Sequence, residues 1–265
     1  MNTLNLTDLA FVGGLAATAG YDTDVQTWID ARAAASDAVP TAYADAVNTY
    51  VLALKGVSGL WSAITQLVVP VGATTIAGAY IAIKGNNFTG TNMVNGDVAL
   101  KTGIKGNSTT KSLSTGYSGD FTGTSQDSFH AYIYLSEVPT SSNTLFGNGG
   151  TSAGATSITY STGIRSRNNT SNSLTGTGTG GYGMNRTTST DFQYIIAGTT
   201  GTASRTSQAT NSGTFLVLGR GSNGGATPEA RGNHRFLVYA MGGGITTLAD
   251  YTTPTANLVT ALNAI

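Results

Sequence analysis

The sequence predicts a mainly β protein, a two-sheet antiparallel sandwich with an N-terminal helical segment and a short C-terminal helix. Two observations carry this expectation. Composition changes near residue 85, from an Ala-rich stretch to one dominated by Gly, Thr, Ser and Asn. Beyond that point, short apolar runs alternate with turn chemistry: Asn95-Gly96, Lys105-Gly106-Asn107, Asn148-Gly149-Gly150 and Asn223-Gly224-Gly225 all supply residues that tolerate positive φ. The expected division is 1–85, an N-terminal arm and helical region, and 86–265, the sandwich, the two packing as one rigid body.

In chain order, Met1 to Gly20 holds Leu4, Leu6, Leu9, Phe11 and Val12 with Asp8 as its one charge. No Lys or Arg precedes Arg32, so the segment reads as mature chain rather than as a secretion leader. An apolar arm of this kind finds cover, either in the chain's own fold or in a neighbour, and these five residues are the candidate assembly interface. Asp22 to Asp24 followed by Val25, Trp28, Ile29 and Arg32 has helical spacing behind an Asp cap and predicts a helix over about 23–35. Pro40 opens a second helix, whose stripe of Tyr43, Val47, Tyr50, Val51 and Leu54 ends at Lys55-Gly56. A helical turn around Leu60, Trp61 and Ile64 follows, and LVVPVG and TIAGAYIAIKG read as extended.

The clearest strands are SFHAYIYLSEV, with Phe129, Ala131, Ile133 and Leu135 on one face, then SITYSTGIRS, FQYIIAGT, GTFLVLGR and HRFLVYAMGG. FLVL and FLVYAM lack polar alternation, which suits strands covered on both sides. SLTGTGTGGYG reads as a surface loop or edge ribbon. Leu258, Val259, Leu262 and Ile265 fall at helical spacing after a Pro and predict a terminal amphipathic helix.

Charge and chemistry exclude more than they assign. Lys plus Arg and Asp plus Glu are thirteen each, so no basic field exists to hold nucleic acid. No run of about 20 apolar residues suggests a membrane role, and the absence of Cys removes disulfides and thiolate metal sites. With two Glu (Glu137, Glu229) and two His (His130, His234), the chain lacks the paired carboxylates of a glycosidase, and it has no nucleophile elbow. His130 points to the face opposite the presumed core, near enough to Asp127 to suggest a dyad, but one such pair in 265 residues is weak evidence of chemistry. Loop Asp97, Asp120 and Asp127 are the only calcium candidates. The expectation is therefore no catalytic residue, no metal and no cofactor. The Asn-x-Ser/Thr triplets at Asn87, Asn107 and Asn185 are what this composition produces by chance.

The stretch Lys101 to Lys111 (KTGIKGNSTTK), the strand SFHAYIYLSEV, TFLVLGRGSN, and the run Phe236 to Gly242 before a C-terminal helix together resemble the concanavalin A-like (laminin G-like) modules of tailed-bacteriophage structural proteins. The Asp-x-Asp-Val-x-x-Trp-Ile-Asp stretch and the helix after it resemble the region that precedes such modules. The resemblance implies a jelly roll and association with a virion assembled in the host cytoplasm. The leading role it implies is a capsid decoration or cement protein, contacting the major capsid protein or other virion proteins as a homo-oligomer, with a trimer the guess. The alternative is a tail-fibre module that recognises host glycans by stacking Tyr117 and Tyr182 on sugar faces, Trp61 being the weaker candidate.

Overall fold

The computed structural model describes residues 20–265 except 175 and 226, so Leu4, Leu6, Leu9, Phe11 and Val12 lie outside the described residues. The chain opens with α1 (Thr23–Ala34), α2 (Thr41–Gly56), α3 (Leu60–Ala63), β1 (Ile64–Val68) and α4 (Ile76–Ala79). Short strands follow: β2 (Thr89–Thr91), β3 (Val98–Ala99), β4 (Gly103–Lys105) and β5 (Ser112–Ser118). Next come β6 (Phe129–Glu137), β7 (Thr144–Asn148), β8 (Thr156–Thr159), β9 (Gly163–Arg165), β10 (Gly180–Arg186), β11 (Asp191–Ile196) and β12 (Thr199–Ser204). The chain finishes with β13 (Thr214–Val217), β14 (Arg220–Gly221), β15 (Pro228–Glu229), β16 (Arg235–Gly242) and α5 (Thr252–Ala264).

Two antiparallel sheets form the sandwich. The larger runs β12-β11-β10-β6-β16-β4-β3, with β1 also paired to β16, and the smaller runs β2-β5-β13-β7-β8-β9. Phe129, Ala131, Ile133 and Leu135 of β6 face the smaller sheet and meet Leu113, Leu145, Phe146, Phe215 and Val217 in the inter-sheet core. The alternate residues face the other way, and they are not solvated. His130 and Tyr132 are buried, and Tyr132, Leu237, Val238 and Ala240 pack under α1, α2 and α5. Helices therefore form a third layer on the outer face of the larger sheet. This is why Phe236 to Met241 are apolar without a break: both faces of β16 are dry.

The helices form where capping and spacing place them. The Asp22 carboxylate accepts from the Asp24 amide at 3.0 Å and starts α1. Pro40 precedes α2, and its predicted stripe is buried throughout. In α5, Leu258 and Leu262 are buried and Val259 partly so, whereas Ile265, expected on the same face, is 43% exposed past the helix end.

Two expectations are corrected. TIAGAYIAIKG is not one extended segment: the Thr75 hydroxyl accepts from the Gly78 amide at 3.1 Å and caps the short α4, after which Lys84 bridges to Leu67 beside β1. GGYG is not loop or edge: Gly180 to Arg186 is an inner strand between β6 and β11. Its glycines answer a packing demand, because a Cβ on Gly181 would stand 2.7 Å from the Tyr132 hydroxyl. The compositional change at residue 85 is no break in packing, in line with the two segments being expected to pack together. β1, from the first segment, pairs with β16 over Ile64 to Val68, and both segments share one core.

Gly78 carries a prediction. A Cβ there would lie 1.7 Å from a carboxylate oxygen of Asp37, whose side chain is fully buried in an ion pair. Gly78→Ala is expected to destabilise by about 1–3 kcal/mol in urea unfolding, since the pair cannot recoil without breaking. Gly96, with nothing within 4 Å of its Cβ position, is the matched control.

Candidate functional site

The side chains with chemical potential are absorbed into the framework. On β6, His130 points into the helical layer, where Nδ1 lies 2.5 Å from the Gly243 carbonyl and Nε2 lies 2.8 Å from the Tyr251 hydroxyl. A carbonyl only accepts, so Nδ1 carries the proton and Nε2 accepts from Tyr251. Burial pushes this imidazole down to about 4, against the Gly243 hydrogen bond that favours its charged form. Asp127 does not pair with it: the carboxylate takes the Ser207 hydroxyl at 2.5 Å, and the proposed dyad does not form. His234 is fully buried, and burial pushes it down to about 3, opposed by the Leu145 backbone.

The carboxylates singled out in the sequence are likewise committed. Glu137 pairs with Lys105 and Arg235, Glu229 with Arg220, Asp97 with Lys111, and Asp120 with Arg167. Asp97, Asp120 and Asp127 therefore each have their own partners, and no cluster of three His, Asp or Glu able to hold a metal occurs among the described residues.

The two tyrosines expected to stack on sugars diverge. Tyr182 is 1% exposed in β10, its ring in the inter-sheet core beside Tyr160 and its hydroxyl donating to the Gly178 carbonyl at 2.8 Å. With neither face open, it cannot stack on a ligand, and that expectation is withdrawn. Tyr117 is part-buried, packed on Phe121 with ring centroids 4.7 Å apart, and its hydroxyl accepts from the Asn86 amide at 3.4 Å.

One surface feature was not anticipated. The Trp61 ring has Lys55 Nζ 4.8 Å and Lys84 Nζ 5.1 Å from its centroid, and Lys84 also donates to the Trp61 carbonyl at 2.6 Å. Two cations share one quadrupole here. Burial lowers the pKa of Lys84, opposed by the nearby Asp24 carboxylate and reinforced by the Lys55 cation. Asp22 and Asp24 neutralise Lys55 at 2.7 and 2.5 Å. Alongside runs an open cleft of about 670 Å³, lined by the hydroxyl residues Ser62, Thr65, Thr122 and Ser128, by Lys84, and by glycine backbone. It offers hydroxyls, backbone amides and one cation as hydrogen-bonding groups. Nothing in the sequence spacing brings Lys55 and Lys84 together, because Lys84 reaches Trp61 only through the Leu67 bridge.

A pair of buried guanidiniums completes the polar interior. Arg167 lies 4.5 Å over the Phe129 ring and 3.2 Å from Asp120. Burial lowers its pKa to about 10, with Arg186 nearby adding to the drop and Asp120 opposing it. Arg186 donates to the Ser166 and Arg205 carbonyls at 2.7 and 2.9 Å, tying β10 to the loops at that end of the sandwich.

No family model matches the chain, and no curated protein matches it.

Proposed function

We propose that the chain is a non-catalytic structural protein of a virus particle, a decoration or cement protein on the capsid that acts through its surfaces. One observation carries the non-catalytic half. Among the described residues, every carboxylate other than Asp250 is held by a cation or a hydrogen-bond donor of the chain itself, and both imidazoles are buried neutral. A general acid or base must instead present a free, suitably tuned group to a substrate. The virion half rests on the resemblance of Lys101 to Lys111 and Phe236 to Gly242 to phage modules, and on the apolar segment carrying Leu4, Leu6, Leu9, Phe11 and Val12, which fits attachment to the major capsid protein or another virion protein. The test is stoichiometry on purified particles. Decoration requires hundreds of copies per particle, and replacing the five apolar residues with Ser in the full chain is expected to abolish attachment. Absence from particles overturns the reading.

A second reading, a tail-fibre module for host glycans, is favoured by the cleft beside Trp61, whose hydroxyls and glycine backbone match the hydrogen-bonding of a saccharide. It requires a few tens of copies per particle or fewer, and glycan-array binding that Trp61→Ala removes.

A further inference from the structure

We infer that β12 is the edge on which a second copy of this chain pairs, joining two larger sheets into one across a two-fold axis at Thr202. The inference adds an interface to the structural role above, on a surface of the described fold.

Sheet edges are the places where backbone donors and acceptors stand unpaired, and proteins that remain monomeric blunt them. The other edges here are blunted. β3 has two residues and β2 three, and the outer edge of β9 is covered at its middle residue, where Ile164 and Asn172 exchange amide–carbonyl bonds at 3.0 and 2.9 Å. β1 is covered where Leu67 bonds to Ile83 and Lys84. Among the described residues, β12 has none of these devices. It runs six residues, TTGTAS, in unbroken register with β11, and holds no charge, no Pro and no bulge. The turn that feeds it, Ala197-Gly198, has φ of 50° and 84°, the paired positive values of a tight hairpin that keeps the strand flush with the sheet.

The ladder shows which groups are free. The Arg205 amide donates to the Thr190 carbonyl at 2.7 Å, so by antiparallel alternation Thr199, Gly201 and Ala203 also turn their amides to β11, while Thr200, Thr202 and Ser204 turn theirs outward. These three are related to themselves by a two-fold at Thr202: Thr202 meets Thr202, and Thr200 meets Ser204, twice. All three outward residues then gain partners in both copies, and their side chains meet as Thr-Thr and Thr-Ser pairs on the helical side of the sheet. A self-pairing strand places any charge it carries against its own kind or a near neighbour, and this one carries none. That neutrality selects a second copy over a charged partner strand. Two-fold pairing also replaces the trimer guessed from the sequence.

The test is the mass of the full chain in solution by light scattering and sedimentation, at micromolar to about 100 μM concentration. The expected species has twice the chain mass of 26.9 kDa. Thr202→Lys sets two cations face to face on the axis, and Thr202→Pro removes an outward amide that no bond among the described residues uses. Both are expected to raise the dimer dissociation constant about tenfold or more with unchanged circular dichroism. Thr89→Lys on the short β2 edge is expected to leave the dimer intact. A monomer at all concentrations, a trimer, or a dimer indifferent to both Thr202 variants overturns the inference. So does a monomer whose Thr202→Lys variant loses only its particle attachment, which would give the edge to another protein's strand. None of these results bears on copy number per particle, so the two readings fail separately.

Discussion

Asp37→Ala is expected to cost about 3–5 kcal/mol, the largest single effect of any surface-remote substitution in the helical layer. Arg32 and Asp37 form an ion pair at 2.7 Å with both side chains fully buried. Arg32 also donates to the Val71 and Gly72 carbonyls at 2.8 Å, and Asp37 accepts from the Thr74 amide and hydroxyl at 2.9 and 2.5 Å. The pair thus fastens the end of α1 to the loop between β1 and α4. Removing the carboxylate strands a guanidinium without its counter-ion in a site that water does not reach, and it orphans the Thr74 donors. Burial pushes the Asp37 pKa up, but the Thr74 hydrogen bonds and the Arg32 charge outweigh it, and the net direction is down. A depressed carboxylate contributes stability above its unfolded value of about 3.9 and loses it as pH falls through the folded value. At neutral pH the full contribution is present. Urea unfolding at pH 7 checks it. The Arg32→Met, Asp37→Leu double variant is expected to lose less than the sum of the two single variants by more than about 1 kcal/mol, and strict additivity would refute the coupling.

What the sequence revealed follows from the range of the interactions involved. The stripe from Tyr43 to Leu54 and the alternation from Phe129 to Leu135 are local patterns, and both faces they define are the faces buried. The unbroken run in β16 announced cover on both sides, and the helices supply it. Gly180 to Arg186 misled because its glycines look like loop, whereas they are small to clear Tyr132, which is about 50 residues away in sequence. α4 was missed for a similar reason: Ile81 and Ile83 have strand-like composition, but the segment before them is fixed by the Thr75 cap and by the Asp37 contact at Gly78. The site was less legible than the fold. His130 and Asp127 looked like neighbours, but their partners, Tyr251 and Ser207, lie 121 and 80 residues downstream. Tyr182 looked available because exposure is set by tertiary packing that no local pattern encodes.

Stability is expected to fall steeply between pH 6.5 and pH 4, with a slope approaching about 2.7 kcal/mol per pH unit from two protons. Both histidines are buried neutral, His130 pushed down to about 4 and His234 to about 3 by burial. In the unfolded chain an imidazole titrates near 6.5. Below that value the unfolded state binds two protons that the folded state refuses, so the equilibrium moves toward unfolding until the folded values are reached. The loss by pH 5 is about 4 kcal/mol, a large share of the roughly 5–15 kcal/mol that holds a domain together. The two rings sit in different places. His130 links β6 to the loop after β16 and to Tyr251 at the start of α5, and Tyr251 stacks on Tyr132 at 4.6 Å. Protonating His130 turns its Nε2 from acceptor to donor, so the Tyr251 hydroxyl must reverse its bond at the start of α5. His234 stands against Gly232, where a Cβ would meet its ring at 2.5 Å. Replacing either ring by a neutral side chain, His130→Gln or His234→Leu, is expected to remove one proton from the linkage and halve the slope, whatever it does to stability at pH 7. Urea unfolding at pH 7, 6, 5 and 4.5 measures this directly. A stability constant within about 1 kcal/mol across that range would show that neither ring is held neutral.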